Sequence, residues 1–193
     1  MCIRDRAWLD KHPDVMPDGW DSRELLEPSK DDRTRIIDDE GDLGVLRTWR
    51  AMCPDLQESW LEDEQPEHWG GVTMENGRVV ELELDGFELT GGVPTELGQL
   101  TSLKVLSLAD TRLTSVPAEI GQLTSLEVLI LDDNQLTSVP AEIGQLASLE
   151  KLELSGNQLT SVPAEIGQLT SLRELLLKGN RLTSVPAEIR LRV

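Results

Sequence analysis

The side chains best placed to recognise another molecule fall in three columns, formed by outward positions of a repeated strand. One column reads Glu81, Val105, Val128, Lys151, Glu174; the next reads Glu83, Ser107, Ile130, Glu153, Leu176; the third reads Asp85, Ala109, Asp132, Ser155, Lys178. The first turn is acidic and the middle turns are aliphatic. The last two mix Lys151, Glu153, Arg173, Leu176, Lys178 and Arg181. An apolar centre with a charged rim suits contact with a protein surface. Val105, Val128 and Ile130 are the expected anchor, and Asp110, Asp132 and Asp133 are expected to orient a partner and speed its arrival. The competing explanation is that branched residues are simply good strand formers.

Catalytic chemistry has no such support. There is no Gly-x-Ser-x-Gly nucleophile motif and no glycine-rich phosphate loop. His12 and His68 are far apart in sequence and lack a metal-ligand pattern. Asp132-Asp133 beside Asp110 would attract a cation, but adjacent acids of this kind usually form a solvated rim. The expectation is a non-catalytic chain with no cofactor and no metal.

What positions the columns is a repeat. Leu103, Leu126, Leu149 and Leu172 succeed one another at a period of 23 residues, each opening the same Leu-x-x-Leu-x-Leu pattern. Such a period marks a stacked solenoid, whose turns bury their apolar faces only against each other. Five turns are expected over residues 79–193, led by Val79, Leu103, Leu126, Leu149 and Leu172, the last incomplete. In each, alternation makes a short strand with Leu inward and the variable residues outward, and the strands stack in parallel about 4.8 Å apart into a concave sheet. The near-invariant return Pro-Ala-Glu-Ile-Gly-Gln-Leu reads as a short helix or 3₁₀ turn, with Pro in its first turn and Glu at the positive end of the dipole. The expected architecture is thus an α/β solenoid, a right-handed superhelix with a parallel concave sheet.

Two further features recur with the repeat. Asn134, Asn157 and Asn180 share one position, where a carboxamide can satisfy backbone groups of the neighbouring turn. Thr111 does part of that work in an earlier turn; Phe87 cannot, so the first corner is expected to be built differently. Thr114-Ser115, Thr137-Ser138, Thr160-Ser161 and Thr183-Ser184 form a hydroxyl ladder. It reads as a duplicated turn, or alternatively as a flat surface for ice or glycan.

Upstream of the array the composition changes. All five Trp precede residue 70, and net charge is −10 over residues 1–70 and −8 over residues 71–193. So acidic a chain repels phosphate backbones, which argues against nucleic-acid binding and for a protein partner with a basic face, or else for charge that only maintains solubility. Residues 1–37 are polar and broken by Pro13, Pro17, Gly19 and Pro28; they are expected to be irregular, with one helical turn at Ser22–Glu27. Residues 38–78 are expected to form a helical N-terminal cap. Leu43, Leu46, Trp49 and Met52, with Cys53 adjoining, make one stripe; Asp38, Asp39 and Glu40 suit the helix start and Pro54 ends it. That helix, with Trp60 and Trp69, would cover the first open turn. Cys2 and Cys53 read as free thiols. No apolar run reaches the roughly 20 residues that span a bilayer. Met1–Arg6 fit poorly with the residues after them and lead into no signal-peptide core.

These motifs resemble the leucine-rich repeat family. Leu126-x-x-Leu129-x-Leu131-x-x-Asn134-x-Leu136-x-x-Val139-Pro140-x-x-Ile143-x-x-Leu146 is similar to its intracellular type, and Leu89-Thr90-Gly91-Gly92-Val93-Pro94 to its plant type. Trp69-Gly70-Gly71-Val72 with Gly77-Arg78-Val79 after it resembles the cap of plant receptor-like members, without the two Cys that bracket it there. The resemblance implies a protein-interaction module, expected to be monomeric and cytoplasmic. The alternative is the sensing fragment of a larger extracellular receptor or receptor kinase, because the last turn stops at Ile189-Arg190-Leu191-Arg192-Val193, short of a full return.

Overall fold

The computed structural model describes residues 41–61 and 64–190. Residues 1–37 with the turn expected at Ser22–Glu27, the acids Asp38, Asp39 and Glu40, and the chain end at Leu191 and Val193 lie outside the described residues, as do Cys2 and His12.

Helix α1, Asp42–Met52, leads directly into α2, Pro54–Ser59. Pro54 therefore does two things: it ends α1, as its lack of an N–H requires, and it opens α2 at N1, where that lack costs nothing. The buried face of α1 is Val45, Leu46 and Trp49, and Leu56 adds to it from α2. Met52, expected in the stripe, is instead 39% exposed at the helix end, while Cys53 just beyond it is fully buried. The stripe runs through Val45 and Trp49, a four-residue step that counting in threes overlooks. Burial raises the Cys53 thiol above its ordinary value, which keeps it protonated and unreactive.

Six strands form one sheet in chain order: β1 Val72–Glu75, β2 Arg78–Glu83, β3 Val105–Ser107, β4 Val128–Ile130, β5 Lys151–Glu153 and β6 Glu174–Leu176. β2 to β6 are parallel, in the register that the 23-residue period demands: Leu82, Leu106, Leu129, Leu152 and Leu175 lie side by side. β1 runs antiparallel to β2 across Asn76-Gly77. This hairpin, which the repeat does not announce, extends the sheet where the array begins and pairs the edge of β2.

The returns over Thr95–Gln99, Ala118–Gln122, Ala141–Gln145 and Ala164–Gln168 are 3₁₀ segments. The preceding Pro sits at the N-cap rather than inside the first turn. The fifth return, α3 Ala187–Arg190, is α-helical. Stacked returns approach so closely that a side chain on Gly121 would meet the Glu142 carbonyl at 2.6 Å, and one on Gly144 the Glu165 carbonyl at 2.6 Å. The glycine shared by the first four returns is therefore a packing requirement. One continuous core runs from the cap through the array. Its leucines are fully buried through Leu169, whereas Leu172, Leu175, Leu177 and Leu182 of the last described turn are only half-buried.

The cap is joined to the array by polar contacts as well as apolar ones. Trp60 and Trp69 stack with ring centres 5.0 Å apart. The indole N–H of Trp49 donates across the junction to the Gly92 carbonyl at 3.0 Å, whereas that of Trp60 donates to the Gly70 carbonyl at 2.9 Å within residues 38–78. Asp42, in the first turn of α1, accepts from the Val79 backbone N–H at 2.8 Å and from Arg78 Nε at 3.0 Å. Its side chain is 3% exposed against 46% for Arg78. Asp42→Ala would leave the Val79 N–H buried without a partner, at a cost of about 2–3 kcal/mol. Urea unfolding should show the midpoint falling for Asp42→Ala and falling less for Asp42→Asn, which keeps an acceptor oxygen. An unchanged midpoint in both would show that the carboxylate does not hold the cap.

Candidate protein-binding surface

The parallel register brings the three variable columns together on one face. Glu81, Val105, Val128, Lys151 and Glu174 are successive partners, as are Glu83, Ser107, Ile130, Glu153 and Leu176. Val105, Val128 and Ile130 are half-buried by their neighbours rather than fully exposed. Ser107, expected to face outward, is only 2% exposed. It is short, lies between larger side chains, and donates its hydroxyl to Asp85 at 2.6 Å. Ser107 therefore offers little surface between its register partners Glu83 and Ile130.

The acids of the surface divide into kinds that alternation alone does not separate. Asp85 accepts from the Ala109 N–H at 2.8 Å, and Asp132 from the Ser155 N–H at 2.6 Å, so each spans to the next turn. Asp110 and Asp133 are exposed and hold left-handed backbone, φ 53° in both. Gly86, Gly156 and Gly179 fill that slot in the other turns, with φ of 78°, 68° and 75°. The corner wants glycine, and Asp is among the few residues that tolerate it. Glu81 and Glu83 differ again: among the described residues neither carboxylate has an ion-pair partner. The glycines of this slot, visible in the sequence, are the signal for the backbone duty of Asp110 and Asp133, which the column pattern alone misses.

Below the outer surface, the Asn residues satisfy backbone groups. Asn134 Oδ1 accepts from the Thr111 N–H at 3.2 Å, the Thr111 hydroxyl at 3.0 Å and the Leu113 N–H at 2.9 Å, while its amide donates to the Leu108 carbonyl at 2.7 Å and the Leu131 carbonyl at 3.1 Å. Asn157 repeats this toward Leu136 and Leu131, and Asn180 toward Leu159 and Leu154. At the first corner, where Phe87 replaces Asn, the Leu89 N–H bonds directly to the Thr111 carbonyl at 3.3 Å, and Asp55 of α2 accepts from the Glu88 N–H at 2.9 Å. The hydroxyls of the Thr-Ser ladder all belong to exposed residues. Among the described residues, no group of three or more His, Cys, Asp or Glu is arranged to hold a metal ion.

On β5 and β6, Lys151 is neutralised by the acids beside it. Lys151 Nζ lies 2.5 Å from Glu153 and 3.7 Å from Glu174. That contact with Lys151 holds the Glu153 carboxyl below its ordinary value and raises Lys151 above its own. Asp132 is pushed up to about 6, first by burial and then by its hydrogen bond to the Glu153 carboxyl. A carboxyl raised in the folded state stabilises the fold most when protonated, so its contribution grows as pH falls through about 6 toward the unfolded value near 4. Glu153, lowered, loses its contribution only below that window. Thermal melts between pH 7.5 and 5 should therefore show wild type gaining on the order of 1 kcal/mol over Asp132→Asn, after allowance for solvent screening. Parallel pH profiles for the two would show that Asp132 does not titrate there.

A family model for the leucine-rich repeat region matches residues 75–189. Among curated proteins, a probable LRR receptor-like serine/threonine-protein kinase of Arabidopsis thaliana, IRK, is 44% identical over 61 residues, which is 30% of this chain and 6% of that protein. The chain thus spans a small fraction of that relative's length. Among solved structures, the BIR2 ectodomain of Arabidopsis thaliana superposes with TM-score 0.67 at 26% identity, covering 78% of this chain and 85% of that one. The BIR3–SERK2 complex of the same plant gives 0.63 at 28%, covering 78% and 87%. A plant ice-binding protein gives 0.65 at 29%, covering 74% and 49%. With the match extending over more than half of its length, the chain belongs to the leucine-rich repeat family.

Proposed function

We propose that this chain is the partner-sensing part of a larger receptor and that it binds a protein on its concave face. The observation that carries the reading is the contrast between faces. The returns repeat almost unchanged, whereas the outward strand positions change character along the stack, from acidic at Glu81 and Glu83 through an apolar centre at Val105, Val128 and Ile130 to mixed charge at Lys151 and Glu153. Rigid strands hold those side chains in place, so little entropy is lost on binding. The similarity to a probable receptor-like kinase, to the BIR2 ectodomain and to the BIR3–SERK2 complex favours the receptor over a free cytoplasmic module. The sequenced transcript should continue past Val193 into a membrane-spanning segment and a kinase; a stop codon there leaves the interaction module and removes the receptor.

The binding face is tested separately. Val128→Arg with Ile130→Arg should abolish retention of a partner by the immobilised chain. Ser138→Arg with Ser161→Arg, on the hydroxyl ladder, should leave retention intact. The opposite pattern would move the site off the concave face. A second reading, binding to ice through the exposed Thr-Ser ladder, is favoured by the likeness to the plant ice-binding protein. It requires thermal hysteresis that the Ser138→Arg, Ser161→Arg chain loses; a freezing point equal to the melting point for wild type excludes it.

A further inference from the structure

The concave face is electrically lopsided. Its cation at β5, Lys151, is held by Glu153 and Glu174, and the next acid out, Glu150, is paired with Arg173 at 3.2 Å. At the opposite end Glu81 and Glu83 of β2 have no ion-pair partner among the described residues. Past Asp85 the same acidic end opens into a cleft of about 420 Å³ lined by Asp55, Glu58, Ser59, Asp85, Gly86 and Phe87. Carboxylates around an aromatic ring suit a guanidinium or ammonium group, which gains from both. The cations nearest β2 are engaged elsewhere, Arg78 with Asp42 at 3.0 Å and Lys104 with Glu75 at 4.0 Å, and Lys178, the other cation of the columns, lies just past β6, four strands from β2, about 19 Å away by strand spacing.

Between the acidic end and Val128–Ile130 lies β3, whose Val105 continues the aliphatic patch toward Glu81. Ser107 on the same strand is buried, and its hydroxyl already donates to Asp85, so it makes no polar demand on what passes above. β2 and β4 are two strand spacings apart, about 10 Å, which an extended chain crosses in about three residues.

We propose that the concave face binds an extended basic-aliphatic peptide segment, with an Arg or Lys on the Glu81–Glu83 end and a branched aliphatic residue three positions away on Val128–Ile130. This rests on the concave-face site of the proposed function and adds the chemistry of the occupant. The segment crosses the strands along Glu83, Ser107 and Ile130. Its cation supplies the countercharge that the β2 carboxylates lack, and its aliphatic residue covers the half-buried patch.

The probe is a positional-scanning library of octapeptides blocked at both ends, applied to the full chain in low salt. The expected selection is Arg or Lys at one position and Leu, Ile or Val three residues from it. For a selected peptide, Glu81→Gln with Glu83→Gln should raise Kd about fivefold, and 0.5 M salt should remove most of that difference. Val128→Arg with Ile130→Arg should abolish binding; thermal melts establish that the variants fold, and the Gln pair alone decides the charge assignment should the Arg pair unfold. Selection without a basic residue, or a Gln pair that binds as wild type while the Arg pair does not bind, overturns the proposal and leaves the concave face standing. Binding unaffected by either pair overturns both. A library that yields no binder overturns the peptide as occupant.

Discussion

No turn of this chain can bury its leucines alone, and each must find its partners in the next. The carboxamide of Asn134 illustrates the constraint. It accepts from the backbone of Thr111 and Leu113 in the preceding turn and donates to the carbonyls of Leu108 in that turn and of Leu131 in its own. An amide with both donors and acceptors is the compact group able to do this at a buried corner. Gly121 and Gly144 impose the same constraint on the opposite side, since any side chain there would strike the neighbouring return. Spacing fixed on both sides leaves the strand registers no freedom.

A stack has ends, and this one treats its first end as a polar problem. β2 would present an unpaired edge and an open leucine face. The β1 hairpin pairs the edge, and the cap tryptophans cover the face while finding carbonyls for their own N–H groups. Asp42 adds a charged contact at the junction, deeply buried and satisfied by Val79 and Arg78. A buried carboxylate contributes little net stability compared with an apolar substitute, but breaking it is costly. It therefore fixes where the cap sits more than it adds to the stability of the fold.

Much of this is legible in the sequence, and the failures have physical reasons. A 23-residue period specifies strand, return and core at once, because each slot is sampled several times. The cap is sampled once. Val45 and Leu56 do not stand out beside the more regular stripe, and Met52 falls in that stripe without entering the core. Asp42 looks like any acid in a first helical turn; only the fold brings it to Val79. The outward columns can be named from alternation, but their chemistry cannot be graded. Asp85 and Asp132 spend a carboxylate oxygen on the next turn's backbone, and Ser107 spends its hydroxyl on Asp85. Alternation gives a side chain's direction and says nothing of whether its polar atoms are already used.

That distinction separates residues the fold can exchange freely from those it cannot. Substituting Asn134 or Gly121 disturbs two or more turns, so these positions resist change whatever the protein binds. Val128, Ile130, Glu81 and Glu83 touch the stack only from outside, so their identities are open to selection by a partner. Asp132 lies between the two classes. It helps hold Ser155 in place, yet burial and Glu153 raise its carboxyl to about 6, which makes its charge depend on mild changes of pH. A residue needed only for its bond to Ser155 would be served as well by Asn, whose carbonyl oxygen accepts the same hydrogen without the cost of burying a charge. The carboxyl has a further use within the stack, since its protonated form donates to the Glu153 carboxyl of that same next turn, a bond the carbonyl oxygen of Asn could not make.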